Sequence, residues 1–216
     1  MSRTPNPPRG QGKYATPLRA IVTFLLSLCA LVLFVFFPSL PGGLALAAML
    51  ISSLADLILM NFRGMGDRAP VDGFLFGGML FALAHLVYAV AFVCLFLREA
   101  GGFRLNRGTL IGVGLFVFVS LLLVVWTRLR KTNVAFLPAG VTYLFFLFVD
   151  LCAIFTATAL GGTLWLSFAG ILLFLLSDWL IMVDKILWIR FPFPTFFIWL
   201  TYAPGQLLLF TGLFLK

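Results

Sequence analysis

Asp56, Asp150 and Asp178 are the three carboxyl residues of this 216-residue chain that fall inside long apolar runs, and His85 is its single histidine. The other acidic residues, Asp67, Asp72, Glu99 and Asp184, belong to loops or helix ends. A carboxyl held in hydrocarbon is costly and marks a proton, ion or ligand site unless it serves to bond a neighbouring helix. Two carboxyls in a low-dielectric site have their ionisations driven apart, so one can donate a proton while the other accepts one. His85 and Tyr88 lie three residues apart, and Tyr202 and Gln206 four apart, so each pair projects from one face of its helix. Together these groups could line a polar pocket in which an acid and a base face each other and hydroxyl and amide groups orient water. The plainer alternative for Tyr and Gln is an interhelical hydrogen bond, and for His85 a bond to a backbone carbonyl.

The elements that must position these residues are membrane helices. With 62% hydrophobic and 10% charged residues, the chain lies outside the composition of soluble domains, which are about half apolar and about a quarter charged. Seven apolar stretches reach the roughly 20 residues needed to cross a bilayer: 17–37, 42–62, 73–97, 109–127, 134–159, 163–183 and 192–215. The expected fold class is an all-α integral membrane protein, a bundle of seven or eight transmembrane helices. A polar, disordered tail at 1–16 precedes one helical domain at 17–216, and no removed signal peptide is expected. Gly73-x-x-x-Gly77 and Gly108-x-x-x-Gly112 have the spacing that lets helices approach closely.

Charge sets orientation. With a cytoplasmic N-terminus, Arg3, Arg9, Lys13, Arg19, Arg63, Arg68, Arg128, Arg130, Lys131, Lys185 and Arg190 fall inside, and Arg98, Arg104, Arg107 and Lys216 outside. That placement also fixes depth, at about 1.5 Å per residue. Asp56 and Asp178 each sit six residues from the inner end of a span, roughly 9 Å in. His85 and Tyr202 come out at roughly 15 to 17 Å, and Asp150 at roughly 24 Å, toward the far face. On this reading Asp56 and Asp178 share a site, and Asp150 is a dispensable outlier.

Several function classes fall away. The fifteen Lys and Arg residues behind the net charge of +8 lie singly or in small groups between apolar runs and form no nucleic-acid face. Cys29, Cys94 and Cys152 form no CxxC pair, so neither a disulfide framework nor a thiolate site is expected. One histidine cannot supply the three-histidine zinc shell of seven-helix hydrolases, so no metal or other cofactor is expected. Retinal proteins need a lysine in the last helix, and intramembrane aspartyl proteases a Gly-x-Gly-Asp signature. A small-molecule or proton-coupled transporter remains the main alternative, since carboxylates also mark ion pathways. Such a protein would string polar groups across the whole membrane, Asp150 included, whereas an enzyme would gather them in a dead-end pocket.

Four motifs in order resemble the YhhN-like lysoplasmalogenase family: Ser53-Leu-Ala-Asp56-Leu-Ile-Leu-Met, Phe81-Ala-Leu-Ala-His85-Leu-Val-Tyr88, Phe174-Leu-Leu-Ser-Asp178 and Thr201-Tyr-Ala-Pro-Gly-Gln206. Ala55 stands where that family more often has glycine. The resemblance implies hydrolysis of the vinyl ether bond of lysoplasmalogens to a fatty aldehyde and a glycerophospho-alcohol, in a bacterial inner membrane or the endoplasmic reticulum. Asp56 and Asp178 would be the acid and base, His85 a proton relay, and Tyr88, Tyr202, Gln206, Ser177 and Tyr143 the residues binding substrate or orienting water. The implied partners are a lysophospholipid and the bilayer.

Overall fold

The computed structural model describes residues 15–64, 71–100, 137–185 and 192–216, together with Gly114, Phe118, Leu121 and Val125. These residues form six α-helices: α1 (Ala15–Phe36), α2 (Leu40–Gly64), α3 (Val71–Ala100), α4 (Leu137–Ala157), α5 (Leu164–Lys185) and α6 (Pro194–Phe214). Of the expected segments, the tail up to residue 14 and most of the span 109–127 lie outside the described residues. The four described residues there are helical and exposed, at spacings of four, three and four.

Proline and glycine set the ends. Pro38 follows α1, Pro41 enters the first turn of α2, and Pro194 opens α6 after Phe193 in a left-handed conformation (φ 52°). Between α4 and α5, a 3-10 turn at Thr158–Leu160 runs into Gly161 (φ 73°) and Gly162 (φ 64°), a reversal that a β-carbon would strain. Five stretches, Leu40–Leu59, Phe76–Ala100, Gly140–Leu160, Leu164–Ile181 and Pro194–Phe214, are long and apolar enough to cross a membrane, and α1 adds the shorter apolar run Ile21–Phe36. The outer surface agrees: Phe24, Val35, Phe36, Met79, Trp165 and Phe196 are more than half exposed, which suits contact with lipid and not with water.

Consecutive helices α2 to α6 pack side by side, and α6 returns to α2, closing a ring; α1 lies against α2 and α6. The ring is filled by Met49, Tyr88, Phe92, Leu147, Phe174 and Phe210, all within 1% of complete burial. One end gathers Phe37 and Pro38 after α1, Leu95 and Arg98 late in α3, and Leu213 and Lys216 at the end of α6, around a cavity of about 220 Å³. Lys216 Nζ donates to the carbonyl of Leu160, just after α4 (3.1 Å). Thus α1, α3, α4 and α6 run toward this end, and α2 and α5 away from it. α3 and α4 are therefore parallel.

The closest packing joins α5 to α6. A β-carbon on Gly170 would lie 2.5 Å from the amide nitrogen of Leu209 and 2.7 Å from the carbonyl oxygen of Gly205, so the two backbones touch. Three hydroxyls bolt the same seam to carbonyls of α6: Thr163 to Gly212 (3.0 Å), Ser167 to Leu209 (2.7 Å) and Ser177 to Ile198 (3.3 Å).

Candidate functional site

Each intramembrane aspartate faces a donor from another helix. Tyr202 Oη on α6 donates to Asp56 Oδ2 on α2 at 2.6 Å, and Tyr143 Oη on α4 donates to Asp178 Oδ2 on α5 at 2.5 Å. His85 Nδ1 on α3 meets Asp150 Oδ2 on α4 at 2.7 Å, with both side chains fully buried. Asp178 lies within coulombic reach of both His85 and Asp56. The phenols fix each carboxyl by a strong hydrogen bond to one oxygen.

The pairs are layered. Counted from the helix ends on the side of the bundle opposite Lys216, Tyr143 and Asp178 lie roughly 9 to 11 Å in, and Asp56 and Tyr202 roughly 12 Å. His85 and Asp150 come at roughly 20 to 21 Å. An aromatic cluster joins the layers: the ring of Phe174 is 4.4 Å from that of His85 and 5.5 Å from that of Tyr202, and Phe81 packs on both Phe174 and Tyr202. Beyond His85, toward the Lys216 end, the described buried residues include Phe92, Ile154, Leu164, Leu209 and Phe210 and the hydroxyl-bearing Tyr88, Thr156, Thr158 and Ser167, with no buried carboxyl, imidazole or basic group among them.

Asp150 corrects the depth argument. Its expected place near the far face came from starting its helix at 134 and counting His85 from 74. The helices begin at Leu137 and Val71, so two opposite boundary shifts had separated residues that share a level. Asp150 therefore belongs with His85.

Two of the expected ligand-binding side chains are otherwise engaged. Ser177 is fully buried and gives its hydroxyl to the Ile198 carbonyl, because it shares a face with Ser167 and Gly170 on the α6 side of α5. Tyr88 is fully buried, and its Oη reaches Met49 Sδ at 3.8 Å, a packing contact between α2 and α3. Tyr143, Tyr202 and Gln206 stay with the site, the tyrosines as carboxyl partners. Gln206 is fully buried, and neither amide atom has a hydrogen-bond partner among the described residues. Sequence reasoning missed Ser52, also fully buried with its Oγ unpartnered among them. Its position one turn before Asp56 was the available signal.

No curated protein and no solved structure matches this chain in sequence or fold comparison. The family model of the YhhN family matches residues 18–213, which takes in all four motifs and every paired carboxyl. The chain therefore belongs to the YhhN family.

Proposed function

We propose that this protein is a membrane-embedded hydrolase that cleaves the vinyl ether bond of lysoplasmalogens, with its N-terminus in the cytoplasm and seven spans. The observation that carries the reading is the pair of phenol-held carboxyls, Asp56 and Asp178, each bonded by a tyrosine of another helix and within coulombic reach of one another. Family membership supports it.

Vinyl ether hydrolysis begins with protonation of the alkene carbon remote from oxygen, which turns the adjacent carbon into an oxocarbenium ion. Water adds to that carbon, and the resulting hemiacetal loses the glycerol oxygen as an alcohol and leaves an aldehyde. One aspartate in its acid form delivers the first proton, and the ionised partner stabilises the cation, as paired carboxyls do in glycoside hydrolysis. Tyr143 and Tyr202 hold the two carboxyls in fixed rotamers, so that neither must reorganise during the reaction.

The transporter alternative needs polar groups across the whole bundle. Among the described residues the buried carboxyl and imidazole groups stop at His85 and Asp150, and beyond them lie apolar side chains and hydroxyls, which favours a dead-end site. The test is aldehyde release from a lysoplasmalogen by purified protein in liposomes, run beside Asp56→Asn. Aldehyde from the parent and little from the variant supports the proposal. Proton uptake down an imposed pH gradient with no aldehyde would replace it with transport.

A further inference from the structure

We propose that Ser52, His85 and Gln206 hold the water that attacks the substrate, and that His85 Nε2, held in place by Asp150, takes its proton. This rests on the hydrolase reading and moves the base from the aspartate pair to the histidine.

The placement follows from two contacts. Tyr88 opposite Met49 sets the antiparallel register of α3 on α2, so His85, three residues earlier, faces Ser52, three residues later. Tyr202 opposite Asp56 sets the register of α6 on α2, so Gln206, one turn on, faces Ser52, one turn back. The three residues share a level roughly 18 to 21 Å from one end of the bundle, one turn deeper than the Asp56 carboxyl.

All three side chains are completely buried, yet Ser52 Oγ, His85 Nε2 and both Gln206 amide atoms make no hydrogen bond to the described residues. A buried polar atom left unsatisfied is costly, and an enclosed water bonding several such atoms removes that cost. Converging orphans on three helices form such a site. A serine hydroxyl, an amide and an imidazole nitrogen can together accept from and donate to one water.

Asp150 fixes which nitrogen is free. With the Asp150 carboxylate accepting from Nδ1–H, a neutral His85 carries its lone pair on Nε2, which points away from Asp150. In the reaction, the water oxygen bonds to the oxocarbenium carbon and one water proton passes to Nε2. As the hemiacetal collapses, the carbon–oxygen bond to glycerol breaks and that oxygen takes a proton. The hydroxyl proton of the hemiacetal returns to the carboxylate that protonated the alkene, and Nε2 gives up its proton to the leaving oxygen. The sum is one water consumed, with aldehyde and alcohol formed. Asp150 is a positioning residue; His85 touches the reacting water.

The test compares Ser52→Ala, Ser52→Thr, Gln206→Leu and Asp150→Asn for kcat and KM on a lysoplasmalogen. We expect Ser52→Ala and Gln206→Leu to lower kcat about 10- to 100-fold, the scale of lost positioning, with KM within about twofold. Asp150→Asn should lower kcat about a hundredfold or more. Ser52→Thr, which keeps the hydroxyl, should exceed Ser52→Ala; a packing role predicts the reverse order, because threonine is the bulkier. Parent-level kcat in Ser52→Ala and Gln206→Leu, in a protein that Asp56→Asn inactivates, would overturn the water site and leave the hydrolase reading standing. An experimental map of the unsubstituted protein gives a readout independent of turnover. Density for a water within hydrogen-bond distance of all three residues is expected, and direct bonds among the three side chains would overturn the site.

Discussion

Asp56 and Asp178 come from sequence positions 122 residues apart, yet each is held by a tyrosine on a third or fourth helix. Because each carboxyl accepts a hydrogen bond from a tyrosine on another helix, replacing it by an amide keeps the shape and removes the proton chemistry. Asp56→Asn and Asp178→Asn should each lower turnover about a hundredfold or more, the usual scale for a lost acid or base. The double variant should be scarcely worse than the poorer single one, since groups that act as a unit are not additive. Additive losses in purified, folded protein would separate the two carboxyls into independent roles. Ser177 behaves differently: its hydroxyl bonds the Ile198 carbonyl, so Ser177→Ala should lower the unfolding midpoint slightly and leave kcat within about twofold, consistent with a net hydrogen-bond value of about 1 kcal/mol. A hundredfold loss of kcat there would return Ser177 to the substrate.

At the level of helices, the site depends on how closely α5 and α6 approach, since Asp178 rides on one and Tyr202 on the other. Gly170 permits that approach by meeting the backbone of α6 with no side chain between. Gly170→Val must push the helices apart, at about 1–3 kcal/mol for an overpacked contact. It should lower the unfolding midpoint in detergent and reduce turnover; an unchanged midpoint would show that the seam yields freely. The seam was illegible in sequence because its contact is between Gly170 and Gly205 on different helices, whereas the small-residue signal looks along one helix. Of the two spacings that signal found, Gly77 meets the flexible end of Leu59, a softer contact than the α5–α6 seam, and the Gly108 pair lies outside the described residues. What periodicity and length could give were the helices and the shared level of Asp56 and Asp178. Asp150 was misplaced because depth multiplies a boundary error by 1.5 Å per residue, and two such errors added.

On the scale of the whole molecule, four of the helices formed by the described residues run toward the end marked by Lys216 and two away from it, with α3 and α4 parallel. On the proposed orientation, with the N-terminus in the cytoplasm, Lys216 lies on the side opposite the cytoplasm. A reporter fused after Lys216 that is active only outside the cytoplasm should be active; activity of a cytoplasmic reporter there would invert the topology and, with it, the side from which the carboxyls are reached. The measurement that bears most directly on the central claim compares two lysolipids of equal chain length and head group, one with a vinyl ether and one with an ester, offered to the purified protein. A site built to protonate an alkene carbon should release aldehyde from the first and no fatty acid from the second. Cleavage of both at similar rates, or of the ester alone, would contradict the paired-carboxyl account.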